Sequence, residues 1–282
     1  MTQFDYSNVK NPRFFKENVL PARAALSLFA NADEGAHGKS SLTKSLDGIW
    51  KFSYAVNMDS AIRGFEKEDY NCKPWADIRV PAHIQLEGYD IPQYVNTQYP
   101  WDGREEILPG EIPERFNPVA SYVKYFEVPE QMRGQDIRIV FEGVESGMAL
   151  WLNGVYVGYS EDSFTPSEFD LTPYLHDGEN KLAVQVFKWT SSSWCEDQDF
   201  FRFSGIYRSV YLYAVPAVHV EDLEIGTLFA DGGFEQAKLT VRCKTKGEGV
   251  CTFRLRDGET VLFEKEQKAE KEISFEETVE TP

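Results

Sequence analysis

MALWLNGVYVGYS, residues 148–160, consists of two short apolar runs joined by Asn153-Gly154. Asn-Gly is the dipeptide that most readily takes the positive φ of a two-residue type I′ turn, so the stretch predicts a β-hairpin. Period two continues on both sides of it. In SYVKYFEVP (121–129), Tyr122, Lys124, Phe126 and Val128 share one face, opposite Val123, Tyr125 and Glu127. QDIRIVFEGV (135–144) aligns Ile137, Ile139 and Phe141, and NKLAVQVFKW (180–189) sets Leu182, Val184 and Val186 against Lys181, Ala183 and Gln185. YRSVYLYAVP (207–216) sets Tyr207, Ser209, Tyr211 and Tyr213 against Val210 and Leu212. Alternation begins at SLDGIWKFSYA (45–55), and no long amphipathic helix interrupts it. TPSEFDLTPYLHDGEN (165–180) reads as loop and turn with at most one helical turn. Short strands punctuated by Gly, Pro, Asn and Asp predict an antiparallel sandwich.

The flanks differ. Residues 1–40 lack sustained periodicity and include NADEGAHGKSS (31–41), so they predict an arm laid over another surface. After about residue 217 aromatics thin out and charges rise. Strands are predicted near HVEDLEIGTLF (219–229), QAKLTVRCKT (236–245), VCTFRLRDG (250–258), TVLFEKEQK (260–268) and KEISFEETVE (271–280). This fits an Ig-like sandwich, although residues 218–282 fall short of the roughly 100 such a domain uses. The expected architecture is all-β: an extended arm (1–40), a jelly-roll sandwich (41–217), and an incomplete Ig-like sandwich (218–282).

The 282 residues are 42% hydrophobic and 14% aromatic, enough for a substantial core. A net charge of -17, from 46 acids against 29 bases, argues against nucleic acid and anionic membrane surfaces as partners. No apolar run reaches the length of a membrane span, and the first residues lack a signal-peptide core, so a cytoplasmic protein is expected. Cys72, Cys195, Cys243 and Cys251 show no CxxC spacing, and free thiols are expected. Cys243 and Cys251 are the pair that a hairpin would bring face to face.

The densest chemistry lies in WCEDQDFFRFSGIYRSVYLY (194–213). In an extended chain Asp197 and Asp199 share a face, with Cα atoms about 6–7 Å apart. Three readings stay open: a carboxylate pair of the kind glycoside hydrolysis uses, oxygen ligands for a hard cation, or solvated acids paired with Arg202 and Arg208. The flanking rings Trp194, Phe200, Phe201 and Phe203 make a pocket with apolar and polar walls attractive, as sugar sites have. VPAHIQLEGYDIPQYVNTQYPWDG (80–103) reads as an irregular loop. Within it Asn96 either caps its own loop or offers an amide to a ligand hydroxyl, and Trp101 reads as cover for the core. Of the four histidines, none spaced as a metal pair, His83 is the one that sits in this loop.

The segment from NGVYVGYSEDSFTPSEFDLTPYL through FKWTSSSWCEDQDFFRFSGIYRSVYL, together with EGYDIPQYVNTQYP, strongly resembles the N-terminal sugar-binding region of glycoside hydrolase family 2 β-galactosidases. The family pattern has Asn and Trp where His83 and Ile84 stand. The resemblance implies that Asp199 contacts galactosyl hydroxyls and helps hold a sodium ion. It implies that Asn96 hydrogen-bonds the galactose. It places the general acid and the nucleophile, two glutamates, on a later TIM barrel, so no catalytic residue is expected on this chain. Magnesium would be bound mainly by barrel residues, with Asn8 and Asn11 of the arm as candidates to assist. The implied parent is a retaining enzyme acting on terminal β-galactosides such as lactose. Its implied partners are the missing TIM-barrel and C-terminal domains and, through the arm, further copies of itself in a homo-oligomer. A free-standing carbohydrate-binding module, or part of a β-glucuronidase or β-mannosidase of the same family, is the alternative.

Overall fold

The computed structural model of the chain describes residues 3–196, 199–229 and 233–280. They form two compact units: Met1–Ala22 with Ser41–Ala214, and Arg23–Ser40 with Val215–Pro282.

The first unit is built on a seven-stranded sheet. Its strands, in spatial order, are Lys16–Glu17, Val155–Ser160, Gly147–Leu152, Asn180–Phe187, Val119–Phe126, Gly48–Ala55 and Ala76–Val80. Every pairing recorded within it is antiparallel. The Asn153-Gly154 turn is present, with φ of 51° and 79°, and closes the hairpin at Leu152↔Val155. A four-stranded sheet, ordered Ser167–Asp170, Asp136–Phe141, Val210–Val215 and Thr43–Ser45, completes the sandwich. Ser167–Asp170 lies in the segment read from sequence as loop and turn. It is an edge strand paired with Arg138 to Phe141, and its Ser167 and Glu168 are buried along with Phe169. Polar residues at inward positions erase the alternation that would have marked it.

Both faces of the large sheet are buried. One carries Val123, Ala149, Trp151, Tyr159, Ala183 and Phe187 in a single cluster, against which Phe4, Tyr6, Val9 and Phe14 of the arm pack. The ring of Phe4 lies 5.6 Å from that of Trp151 and 5.7 Å from that of Phe187. Lys16 and Glu17 then pair with Ser160 and Tyr159, so the arm both covers the sheet and extends it. The opposite face, with Leu150, Leu152, Leu182, Val184 and Val186, is equally buried. Gly158 marks how closely the layers approach there: a Cβ on it would stand 2.7 Å from Phe169 Cε1 of the smaller sheet and 2.5 Å from the Glu17 carbonyl.

The second unit follows the predicted strands closely. His219–Phe229, Gln236–Lys246 and Glu272–Glu280 form one sheet, and Val250–Asp257 pairs with Thr260–Lys268 in another. Val241, Cys243, Ile273 and Phe275 pack against Cys251, Phe253 and Phe263. Phe253 and Phe263 of the two-stranded sheet meet Phe275 edge-on, at 5.0 and 6.4 Å between centroids. Cys243 and Cys251 are both free. That matches the expectation of free thiols, and their consecutive strands enter different sheets, so no hairpin pairs them. Burial pushes the Cys243 thiol up to about 11. Residues 23–40 contribute the helix Ala32–His37, capped by the Asn31 side chain accepting from Glu34 N–H and closed by Gly38 at φ 63°. Among the described residues no helix is long and apolar enough to cross a membrane.

The close approach at Gly158 gives a direct test. Gly158→Ala should destabilise the first unit by about 2 kcal/mol or more, since the obstructing atoms are backbone and a buried ring. Urea unfolding followed by tryptophan fluorescence reads this as a lowered midpoint.

Candidate sugar-binding site

Two segments about a hundred residues apart build the site. Gln93–Val95 and Phe200–Arg202 pair as a two-stranded antiparallel ribbon with register Phe200↔Val95, Phe201↔Tyr94 and Arg202↔Gln93. Asn96 follows one strand and Asp199 precedes the other, so the register continued by one residue sets them opposite each other. Both are exposed at the end of the ribbon. Asp197 lies outside the described residues, so the pairing of Asp197 with Asp199 belongs to the sequence reading alone.

Asp199 sits in the left-handed region at φ 53°, which Asp and Asn tolerate better than most residues. Its Oδ1 accepts a hydrogen bond from the Tyr94 hydroxyl at 2.7 Å. Bonding to that carboxylate, then slight burial and the carboxylate charge, push the Tyr94 phenol above its ordinary value. The Tyr94 and Phe201 rings lie 5.0 Å apart, and both stand more than half exposed, at 52% and 57%. Phe200 is also exposed and meets Phe164 edge-on at 5.7 Å. The exposed amide of Asn96 has no hydrogen-bond partner among the described residues. Two polar groups with free bonding capacity thus lie among exposed aromatic faces.

The ribbon rests on a buried polar support that sequence reading missed. Lys188 Nζ meets Asp90 Oδ2 at 2.5 Å, with the two side chains 0% and 1% exposed. Gln85 Nε2 donates to the same carboxylate oxygen at 2.9 Å and to Ser204 Oγ at 3.0 Å, while Ser204 N–H donates back to Gln85 Oε1 at 3.0 Å. The loop that leads to Tyr94 and Asn96 is thereby tied on both sides of the Asp199 segment. The signal available in sequence was Asp90 flanking a Gly-Tyr turn and Lys188 ending an apolar strand, but neither position predicts the other.

Other acids and rings near the ribbon are engaged within the sandwich. Glu196 ends the short helix Ser193–Glu196 and accepts from Ser163 Oγ at 2.7 Å, with burial raising its carboxyl above the ordinary value. Burial likewise raises Glu161, which accepts from Tyr159 Oη at 2.7 Å, Ser191 Oγ at 3.0 Å and Ser192 N–H at 3.0 Å. Arg202 is buried and donates to the Glu196 carbonyl, and Arg208 donates to the carbonyls of Phe164 and Glu142. Trp101 is 3% exposed, stacked on Tyr99 at 5.1 Å and tilted against Trp194 at 5.0 Å, so it is cover for the core. His83 lies between the rings of Phe203 and Tyr207, at 4.6 and 5.0 Å, with Nδ1 3.9 Å from Glu145 Oε2. Burial pulls its pKa below the ordinary value.

A hard cation takes several oxygen ligands, and Asp199 presents one carboxylate suited to such a set. Among the described residues no group of three or more His, Cys, Asp and Glu converges to hold a metal. In the arm, Asn11 Oδ1 accepts from Arg13 N–H at 3.1 Å, and Asn8 lies half-buried in the turn Tyr6–Lys10.

Residues 43–216 match the model of the glycosyl hydrolases family 2 sugar binding domain. The chain belongs to glycoside hydrolase family 2. It is 50% identical over 225 residues to a β-galactosidase of Halalkalibacterium halodurans, an alignment covering 79% of this chain and 22% of that protein. It is 46% identical over 260 residues to a β-galactosidase of Clostridium acetobutylicum, covering 92% and 28%. A β-galactosidase large subunit of Lactobacillus acidophilus is 38% identical over 287 residues, covering 95% and 46%. The chain therefore spans less than half the length of these family 2 relatives. Among solved structures, a β-glycosidase from Bacteroides vulgatus superposes with TM-score 0.63 at 22% identity, covering 85% of this chain and 29% of that one. A Bifidobacterium dentium β-glucuronidase superposes with TM-score 0.64 at 21% identity, covering 85% and 42%. These two likenesses concern the fold.

Two outcomes test the support under the site. Lys188→Met leaves the Asp90 carboxylate buried without its counter-charge and should cost about 3–5 kcal/mol in urea unfolding. His83 has a depressed folded-state pKa, so the unfolded chain binds more protons over the window between the folded and unfolded values. Stability is then full above the unfolded value of about 6.5 and declines as pH falls through that window. His83→Phe, which keeps a ring in the stack, should flatten that part of the stability–pH profile.

Proposed function

We propose that this chain is the sugar-binding part of a retaining β-galactosidase that hydrolyses terminal β-D-galactosides such as lactose. The single observation that carries the reading is the ribbon register, whose continuation by one residue brings Asn96 and Asp199 to the same exposed end, among the exposed rings of Tyr94, Phe200 and Phe201. Relatives named β-galactosidase at 38–50% identity support the substrate class. A carboxylate accepts and a primary amide both donates and accepts, so the two together hold neighbouring sugar hydroxyls in a defined orientation. The exposed rings of Tyr94, Phe200 and Phe201 offer apolar surface to the C–H face of the sugar.

Asp199 would also supply an anionic oxygen to a sodium ion. Magnesium belongs to the parent enzyme, with the amide oxygens of Asn8 and Asn11 as the arm's available donors. Retaining hydrolysis needs an acid and a nucleophile about 5–5.5 Å apart. The family resemblance places that pair on a later TIM barrel, and relatives more than twice the length of this chain support the reading, so the chain alone should be inactive.

Hydrolysis of nitrophenyl β-D-galactoside tests this. The chain alone should show none, and mixing it with the separately expressed remainder of its parent should restore activity. Asp199→Asn in that mixture should raise KM about tenfold or more and weaken the sodium dependence. Hydrolysis by the chain alone would mean it carries its own carboxylate pair, and unchanged kinetics of the Asn variant at low sodium would remove Asp199 from the site.

A further inference from the structure

We propose that Tyr94 is a positioning residue for Asp199, clamping one carboxylate oxygen so that the other is presented to ligand. The inference rests on the galactoside-binding reading and adds a residue to it. Three observations converge. The Tyr94 hydroxyl donates to Asp199 Oδ1 at 2.7 Å across the ribbon. The bond is diagonal: Tyr94 pairs with Phe201, two residues along from Asp199, and diagonal neighbours in an antiparallel pair are within reach of an aromatic side chain. Asp199 also holds a left-handed backbone, so its side chain leaves the strand path and needs a contact to define its direction.

The consequence concerns the carboxylate's capacity. An aspartate has two oxygens with about four acceptor positions, and rotation about χ2 exchanges them. A phenol bonded to Oδ1 removes that exchange. Oδ2 is then held in one orientation, left out of that bond. Ordering of this kind lowers the conformational entropy lost when a ligand binds. The ring itself is steadied by Phe201 at 5.0 Å, a contact that Tyr94→Phe preserves.

Two measurements test the proposal. In the chain itself, the Tyr94 ring is followed by NMR with ring-labelled tyrosine at constant pH. Asp199→Ala, which removes the acceptor, should shift the Tyr94 ring signals and leave those of tyrosines elsewhere in the sandwich in place. Tyr94 signals indifferent to Asp199→Ala would overturn the clamp. In the complete enzyme, Tyr94→Phe should raise KM for nitrophenyl β-D-galactoside and the sodium concentration for half-maximal rate by about three- to tenfold, with a smaller change in kcat. The double variant should bind no worse than Asp199→Asn alone, because the phenol acts through the carboxylate. If Asp199→Asn weakens binding while Tyr94→Phe does not, or if the two effects simply multiply, the positioning role is wrong and the galactoside reading stands. If Asp199→Asn leaves binding unchanged, the reading falls and the positioning role falls with it.

Discussion

The ion pair between Lys188 and Asp90 is the interaction on which the site depends. Neither charge reaches water, and each would be costly without the other. Lys188 immediately follows the central strand Asn180–Phe187, and Asp90 sits in the loop before Gln93–Val95. The pair therefore joins a wholly buried strand of the sandwich to an irregular loop of the first unit. Gln85 and Ser204 extend the link to the chain that follows Phe200–Arg202. A loop held at one charged point and one amide can carry an exposed strand of three residues that would not persist alone.

A second constraint is the double burial of the seven-stranded sheet. An antiparallel sheet of a sandwich commonly leaves one face to water. Here the second face carries Trp151, Tyr159 and Phe187, which are too large and apolar to be left exposed, and the arm supplies Phe4, Tyr6 and Phe14 to cover them. The arm is thus integral to the first unit up to Glu17, where its backbone joins the edge strand. Its sequence lacks periodicity because it lies across the sheet as a cover, and among its described residues up to Glu17 only Lys16 and Glu17 are in a ladder.

How much could be read from the residues follows from where each signal resides. Strands such as Val119–Phe126 and Asn180–Phe187 announce themselves through alternation, and the 148–160 hairpin through its Asn-Gly turn, because these signals are local. Ser167–Asp170 and Gln93–Val95 are short, polar at inward or exposed positions, and defined by partners far along the chain. They read as loop for that reason. Cys243 and Cys251 are free as their spacing suggested, and the chain crosses from one sheet to the other between them, a change of sheet that closeness in sequence does not show. At the site, Asn96 and Asp199 were identifiable as polar residues among rings, and the family resemblance assigned their roles. Their shared end of one ribbon, the Tyr94 bond and the Lys188–Asp90 support depend on pairings across about a hundred residues, which no local pattern encodes.

The ribbon also sets how the two segments can vary in length. Side chains alternate across a strand, and neighbouring residues rise about 3.3 Å. Inserting or deleting one residue within either three-residue strand would shift the register and turn the end residue to the opposite side of the ribbon. Length changes between residues 103 and 180 carry no such penalty for Asn96 and Asp199, provided the sandwich still delivers both strands. Variation among natural sequences of this architecture should therefore be frozen in length at two tripeptides and free in length between them, a pattern of gaps that marks the site independently of which residues occupy it.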